Sequence, residues 1–258
     1  MVPPGKAIAF YPLFYGKEYL AWSIRSVQDA VDEIHVLYTD RPSYGHGRQE
    51  PGPESEEDLV REARRFAEKP IFWHRGRWAK EGDHRDAIYP IAKERGASQV
   101  LAVDADEVWA PGQAAAALAA CAGRPEGIVR MRFCHFWRSF KWVCRDATAP
   151  QRVYNLRTEG GPSEGVWYLD PQAWPVFHFG YAISSALVRF KWTCHGHQSE
   201  LRPGWLDEKF LRWSPGVGDV HPTNAGGFWT PEATDRATLR ALESVLGDHP
   251  YWGMDVIP

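Results

Sequence analysis

Apolar and polar positions alternate in blocks along the first hundred residues, and the blocks predict strands separated by helices. Short apolar runs predict strands at 7–11, 34–38, 70–74 and 99–103. Apolar positions at helical spacing predict helices at about 17–30, 55–68 and 83–95. Strands that alternate with helices favour a mostly parallel sheet with helices on both faces, a Rossmann-like α/β fold.

The second half of the chain has a less regular pattern. An alanine-rich helix is predicted at 111–122, a strand-like stretch at 128–142 and a final helix at 231–247. Between 146 and 227 the chain is rich in Trp, His, Gly and Pro, which predicts loops and short strands.

The whole chain, 1–258, is predicted to be a single domain, because it shows neither an internal repeat nor a low-complexity linker. We expect a nucleotide-binding half at 1–110 and an irregular acceptor-side half at 111–258.

The fourth predicted strand ends in three carboxylates, Asp104, Asp106 and Glu107. In an extended backbone Asp104 and Asp106 project the same way, so their charges repel. A hard divalent cation such as Mg²⁺ or Mn²⁺ relieves that repulsion and leaves positions open for phosphate oxygens. Asp40 follows the second predicted strand and is expected at the same edge of the sheet, where α/β proteins bind ligands. The alternative is a solvated turn that is acidic without a function.

Net charge, the length of apolar stretches and cysteine spacing argue against several classes of protein. A net charge of −3 excludes a generally basic nucleic-acid binder, although not a local basic groove. No apolar stretch has the length of a transmembrane helix, and the N-terminus lacks a secretion signal pattern. The four cysteines are scattered without a C-x-x-C pair, which predicts reduced thiols and a cytoplasmic protein.

Several segments resemble GT-A-fold glycosyltransferases, most closely the inverting family-two type. Segments 19–27 and 31–40 resemble the family's opening strand–helix–strand unit, 82–87 resembles its "aRN" helix, and 103–107 resembles its "DADE" metal motif, a form of Asp-x-Asp. Residues 151–156 with 163–165, and 177–181 followed by Lys191, resemble segments of lipopolysaccharide-core-type members. The order of the segments holds from about residue 7 to residue 197.

Four positions depart from the family pattern, so the chain is identified as a divergent member. Residues 14–18 replace the usual "NE", and Tyr38 stands where an aspartate is usual. Asp86 replaces the asparagine of "aRN", and Ser163 replaces the histidine of "HE".

The resemblance implies a nucleotide-diphosphate sugar as donor, most simply a UDP-sugar, and Mn²⁺ or Mg²⁺ as cofactor. It implies metal ligands at Asp104, Asp106 and His178, with Asp104 on the donor ribose as an alternative role. The expected donor-binding residues are Tyr11, Asp40, Arg85, Asp104 and Lys191. Three of the metal-binding and donor-binding candidates have a structural alternative. For His178 it is a core histidine with satisfied hydrogen bonds, for Arg85 a surface ion pair and for Lys191 an exposed strand face.

Inverting transfer needs a carboxylate that takes the acceptor proton. The resemblance selects Glu164, and Asp170 is the second candidate for this catalytic role. Spacing alone leaves Asp207 and Glu208 open as well.

Two further patterns carry other hypotheses. His195, His197 and His221 with Asp219 offer ligand types for zinc, without a fixed spacing that supports it. Residues 130–145 interleave basic and aromatic side chains, which suits nucleic acid but is also what a half-buried strand shows. The acceptor is therefore a glycan, a small molecule or a modified base in DNA. A catalytically silent sugar- or nucleotide-binding protein is the remaining alternative.

Overall fold

The strands and helices alternate through the first half of the chain, as the pattern predicts. The structure, a computed structural model, describes residues 5–44, 50–122, 128–145, 149–156, 166–168, 176–226 and 229–258. The strands in these residues are β1 Ala7–Leu13, β2 Glu33–Tyr38, β3 Ile71–Arg75, β4 Gln99–Ala102, β5 Glu107–Val108, β6 Ile128–Arg130, β7 Phe133–Trp137, β8 Ser139–Arg145, β9 Gln151–Asn155, β10 Val166–Tyr168, β11 Val176–Tyr181 and β12 Glu232–Ala233.

The helices lie mainly between the strands of the first half and at the end of the chain. The α-helices in the described residues are α1 Lys17–Val27, α2 Glu56–Arg64, α3 Glu81–Asp86, α4 Ile88–Glu94, α5 Gln113–Ala122, α6 Ser185–Thr193 and α7 Arg236–Leu246. Short 3₁₀ turns occupy Gln28–Ala30 and Gln198–Glu200, and a π-helix occupies Leu206–Leu211.

The larger sheet has the strand order β10-β6-β9-β4-β1-β2-β3, and β9 alone among these strands runs antiparallel to its neighbours. Alternate residues of β1 explain why the strand is apolar throughout. Ala9 and Tyr11 pack towards α1, α2 and α5, whereas Ile8 and Phe10 pack towards α4. The predicted mostly parallel sheet with helices on both faces is confirmed.

A second sheet has the order β12-β8-β7-β11-β5. Its strand β5 follows β4 of the larger sheet after residues 103–106 only, so Asp104 and Asp106 lie on the connection between the two sheets. Antiparallel pairing of β11 with β5 places His178 opposite Glu107. Parallel pairing of β11 with β7 places His178 beside His135. The second sheet thus brings residues of the C-terminal half to the carboxylate motif.

Some predicted elements differ from the structure. The helix predicted at 83–95 is two helices, because Pro90 has no N–H to donate to the carbonyl of residue 86 and its ring crowds that carbonyl. Stretch 128–142 contains β6, β7 and the start of β8 rather than one strand. The segment predicted as loops and short strands contains helix α6, with Ser184 as its N-cap.

Candidate active site

A cleft of about 960 Å³, open mouth included, lies at the carboxyl ends of β1 and β4. This is the edge of a parallel sheet at which α/β proteins bind ligands. The side chains that carry charge or an imidazole in its lining are Glu18, Glu81, His84, Arg85, Asp104, Asp106, His178 and Lys191. Phe14, Tyr15 and Tyr44 add aromatic surface.

Asp104 and Asp106 both line this cleft, but not through an extended backbone. The Glu107 N–H donates to the Asp104 carbonyl over 3.0 Å, which closes a turn between β4 and β5. The expectation of an extended backbone is therefore wrong at 104–106, whereas both carboxylates do lie at one edge of the sheet, as expected. The turn forms because the chain leaves one sheet and enters the other at this point.

The Asp104 carboxylate is neutralised by two arginines. Its oxygens lie 3.1 and 3.3 Å from Arg85 Nη2, and Oδ2 lies 2.8 Å from Arg152 Nη2. Burial by itself would raise the pKa of Asp104, but Arg85 and then Arg152 more than offset it, so the pKa lies well below its ordinary range. Two guanidinium groups thus balance the charge of Asp104, and a cation between the two aspartates stays a prediction.

Asp106 has the opposite surroundings. No other residue in the described part of the chain donates a hydrogen bond to its carboxylate, and the side chain is 27% exposed. Burial raises the pKa of Asp106; Lys191 opposes the rise and Asp104 adds to it. Among the described residues, the basic side chain within 4.0 Å of this carboxylate is His178, whose Nε2 lies 3.8 Å from Asp106 Oδ2. That distance is too long for a hydrogen bond and short enough for one cation to contact both atoms.

His178 is a neutral imidazole. Burial lowers its pKa well below the ordinary value, and His135 and Lys191 lower it further. A neutral imidazole has one ring nitrogen with a free lone pair, which a metal ion requires. Asp106 and His178 therefore fit a divalent cation, whereas Asp104 does not fit as a direct ligand in this arrangement.

Two ligands from the protein are fewer than a closed metal site needs. The described residues contain no group of three or more His, Cys, Asp or Glu side chains placed to hold a metal. Mg²⁺ sites commonly use one or two carboxylates and complete their coordination with water and substrate phosphates. The arrangement fits a cation that binds together with a phosphate ligand better than a permanently held ion.

Arg85 and Lys191 supply the positive charge in the cleft. Arg85 Nε lies 3.0 Å from Glu81 Oε1, so the guanidinium bridges Glu81 and Asp104. The Lys191 ammonium donates to the Gly180 carbonyl over 3.1 Å, and burial lowers its pKa. Lys191 lies on α6, so the alternative of an exposed strand face is wrong.

Two predicted donor-binding residues do not line the cleft. Tyr11 is fully buried between β1 and α1 and accepts a hydrogen bond from Ser23, because β1 continues two residues beyond the predicted end. Asp40 is paired with Arg77 over 2.8 and 2.9 Å and with Arg75 over 3.6 Å, outside the described lining of the cleft. The prediction is wrong for Tyr11, and for Asp40 the structure shows an ion pair where a nucleotide contact was expected.

The two predicted base candidates, Glu164 and Asp170, lie outside the described residues. The backbone of β10, between them in sequence, pairs with β6 at the edge of the larger sheet. Their role stays a prediction. Asp207 and Glu208 are not among the residues that line the cleft in the described part of the chain.

Three residues next to the cleft carried no predicted role. Arg152 and Glu107 form a buried ion pair beneath Asp104, with Arg152 Nε 3.0 and 3.1 Å from the two Glu107 oxygens. His135 contacts His178 through the two Nδ1 atoms, which lie 2.9 Å apart. A charged or imidazole residue within an apolar strand was the available signal in each case, but its partner is distant in sequence.

The structure does not support the zinc hypothesis. His195 contacts the Tyr181 hydroxyl, His197 contacts Glu200, and Asp219 is paired with Arg202. The His221 ring accepts from the backbone of Thr223 and Asn224. These four candidates therefore have separate partners, and the described residues contain no metal-binding group of three.

The basic and aromatic residues at 130–145 also have structural roles. Phe136, Trp137 and Phe140 are buried in the core of the second sheet. Lys141 is paired with Asp255, and Arg145 with Asp235. Bases have no access to these rings, so the stretch gives no support to a nucleic-acid acceptor.

All four cysteines are buried free thiols, as predicted. Among the described residues, no helix has the length and apolar character needed to cross a membrane.

Comparisons with known proteins find only distant similarities. No family model matches the chain, and no curated protein matches it. Among solved structures, a 4-diphosphocytidyl-2C-methyl-D-erythritol synthase from Anaerococcus prevotii is 11% identical, with 66% of this chain and 91% of that chain covered and a TM-score of 0.41. The 1–349 segment of S. aureus TarS is 12% identical, with 67% and 60% covered and a TM-score of 0.42.

A candidate nucleotide-diphospho-sugar transferase from Desulfovibrio desulfuricans is 11% identical to this chain. The match covers 95% of this chain and 97% of that chain, with a TM-score of 0.40. Similarity at this level does not identify what a protein acts on.

Proposed function

We propose that the chain transfers a sugar from a nucleotide-diphosphate sugar to an acceptor hydroxyl, with Mn²⁺ or Mg²⁺ held by Asp106 and His178. The observation that carries the proposal is the Asp106 carboxylate, which has no hydrogen-bond donor from another described residue and lies 3.8 Å from a neutral imidazole. It lies in a cleft at the carboxyl ends of parallel strands, beside two cationic side chains. The donor proposed is a UDP-sugar, and the acceptor is a glycan or a small molecule.

The leaving diphosphate carries negative charge that must be stabilised as it departs. A divalent cation, when bound, supplies that stabilisation as a Lewis acid. Arg85 and Lys191 line the same cleft and are placed to contact phosphate oxygens directly. Asp104 holds Arg85 in this role rather than acting as a metal ligand.

The transfer forms a bond between the acceptor oxygen and the anomeric carbon while the bond from that carbon to the phosphate oxygen breaks. The electron pair of the broken bond leaves with the nucleoside diphosphate, and the acceptor proton passes to a carboxylate base. Glu164 is the proposed base, and Asp170 is the second candidate. Inversion at the anomeric carbon is proposed from the family resemblance, and a cytoplasmic location from the cysteine pattern.

Removal of the Asp106 charge tests the cation site. In the wild type, UDP-sugar with Mn²⁺ should raise the melting temperature, because a ligand at a hundred times its Kd adds about 2.7 kcal/mol. Asp106→Asn should abolish the Mn²⁺-dependent part of that shift and all release of UDP. Differential scanning fluorimetry with a panel of nucleotide sugars measures the first effect.

The matched control is Glu81→Gln, which removes a cleft carboxylate that already has an arginine partner. It should keep the Mn²⁺-dependent shift. A wild type that shows the same shift with EDTA as with Mn²⁺ would contradict the cation site.

The proposed base is tested separately from donor binding. Glu164→Gln should leave the thermal shift with UDP-sugar unchanged and lower transfer to the acceptor by a factor of about 10² to 10⁴. Asp170→Gln, measured in the same two assays, tests the second candidate. Unchanged transfer in Glu164→Gln would assign the base elsewhere, and donor binding without any release of UDP in the wild type would leave a silent binding protein.

A further inference from the structure

His135 lies directly behind His178, on the side away from Asp106. We propose that His135 is a positioning residue, which accepts a hydrogen bond from Nδ1–H of His178 and so fixes the tautomer that presents the Nε2 lone pair to the cation. This inference rests on the proposed cation site and names a residue that selects the form of one of its ligands.

Strand register brings the two imidazoles together. In the parallel pairing of β7 and β11, His135 is the direct neighbour of His178. Both side chains are largely enclosed, and their Nδ1 atoms lie 2.9 Å apart. A hydrogen bond between two like ring nitrogens requires that one carries a proton and the other does not.

The His178 ring has little freedom to rotate out of this contact. Phe133 stacks on one face, with ring centroids 5.0 Å apart and an interplanar angle of 11°. Gly180 lies against the ring so closely that a Cβ there would be 2.6 Å from His178 Cε1. With the ring held, the atom that faces Asp106 is Nε2.

The direction of the hydrogen bond decides what Nε2 can do. If His178 donates from Nδ1, then Nε2 of the neutral ring has a lone pair and can bind a cation. If His135 donates instead, His178 must carry its proton on Nε2, which then points towards Asp106 and blocks cation binding. Metal-bound histidines commonly donate their other N–H to a fixed acceptor, and loss of that acceptor costs 10–100-fold in affinity.

The test compares substitutions at residue 135 that keep or remove the acceptor. Asparagine retains a side-chain oxygen near the position of Nδ1, whereas phenylalanine fills the space without an acceptor. Binding of Mn²⁺ in the presence of saturating UDP, measured by electron paramagnetic resonance against a protein-free blank of Mn²⁺ with UDP, should weaken roughly 10- to 100-fold in His135→Phe. His135→Asn should stay within a few-fold of the wild type.

The matched control is His35→Phe, a buried histidine of β2 that contacts His74 and Glu33 and does not line the cleft. Its Mn²⁺ affinity should equal that of the wild type. A second measurement reads the tautomer directly. In ¹⁵N-histidine-labelled protein without added cation, His178 should be protonated at Nδ1 in the wild type, and in His135→Phe the two tautomers should be mixed.

The outcomes separate the two proposals. If the wild type binds no Mn²⁺ when UDP is present, the cation site itself is wrong, whatever happens at residue 135. If the wild type binds Mn²⁺ with UDP and His135→Phe binds it equally well, the positioning role is overturned. Should phenylalanine prevent folding, His135→Leu replaces it, and equal weakening by leucine and asparagine would also overturn the role of the acceptor.

Discussion

Asp104 and Asp106 are separated by one residue, yet their carboxylates have opposite electrostatic surroundings. Arg85 and Arg152 hold the pKa of Asp104 low, whereas burial raises the pKa of Asp106. The pattern Asp-x-Asp therefore describes two groups with different chemistry. One carboxylate keeps an arginine in the cleft, and the other is the proposed cation ligand.

Gly16 determines how closely the loop after β1 approaches this motif. Its φ is +135°, a conformation that L-residues rarely adopt, and a Cβ there would lie 2.7 Å from Ala105 Cβ. Asp104 and Asp106 flank Ala105, so the glycine is part of the floor of the cleft.

Gly16→Ala should therefore lower the free energy of unfolding by about 2 kcal/mol or more, through backbone strain and overpacking together. Urea denaturation measures the loss. Gly82→Ala, at a helical position where an added Cβ meets nothing within 4 Å, is the matched control and should be neutral or slightly stabilising. Gly16→Ala with Ala105→Gly should recover part of the loss, and a neutral Gly16→Ala would contradict the close approach.

At the scale of secondary structure, α6 carries a cationic group to the site from the C-terminal half. Ile183 precedes the helix, and Leu187 and Lys191 follow at spacings of four, so all three line the cleft. The alternation of Arg189 and Lys191 with Phe190 and Trp192 suggested a strand. The N-cap at Ser184, which accepts from the Leu187 N–H, is the local signal that favours the helix.

Strands β9 and β5 are joined by the ion pair between Arg152 and Glu107. Glu107 is fully buried, and burial raises its pKa while the Arg152 guanidinium opposes the rise. Arg152 also binds Asp104, so one side chain links the larger sheet, the second sheet and the carboxylate motif.

Arg152→Met should lower the free energy of unfolding by roughly 3–5 kcal/mol, because it leaves Glu107 buried without a partner. The loss should grow with rising pH, since a lone buried Glu107 takes up a proton more readily in the folded than in the unfolded chain. The double variant with Glu107→Leu should recover most of it. Urea denaturation of the wild type, both single variants and the double variant gives the coupling energy.

Arg95→Met is the matched control, because the Arg95 side chain is 39% exposed and its partner Glu33, although buried, keeps Lys6 and His35 as partners. Its loss should be about 1 kcal/mol or less. An equal loss in Arg95→Met and Arg152→Met would show that burial of the Arg152 pair has no special effect.

At the scale of the whole molecule, the cleft exists because two sheets meet at one connection. β4 ends in the larger sheet and β5 begins in the second, and residues from both halves of the chain converge on the turn between them. His178 arrives through its strand pairing with β5, and Lys191 arrives on the helix that follows β11. The single-domain organisation stays a prediction, and so does the division of the chain into a donor half and an acceptor half.

Local pattern was sufficient for the strands of the first half, for its helices apart from the break before Pro90, and for the position of the carboxylates at the end of β4. Strand and helix periodicity, caps and the apolar run depend on residues close together in the chain, so they can be read without knowledge of distant partners. The same holds for the parallel sheet, which follows from strands that alternate with helices.

Tertiary structure alone decided the partners of each charged group. Arg152 neutralises Asp104 across 48 positions of sequence, and His135 meets His178 across 43. Tyr11 does not line the cleft, because β1 extends beyond its predicted end and the Tyr11 side chain packs towards α1. Burial and ion pairing depend on what is near in space, and that is set by the joining of the two sheets rather than by any spacing along the chain.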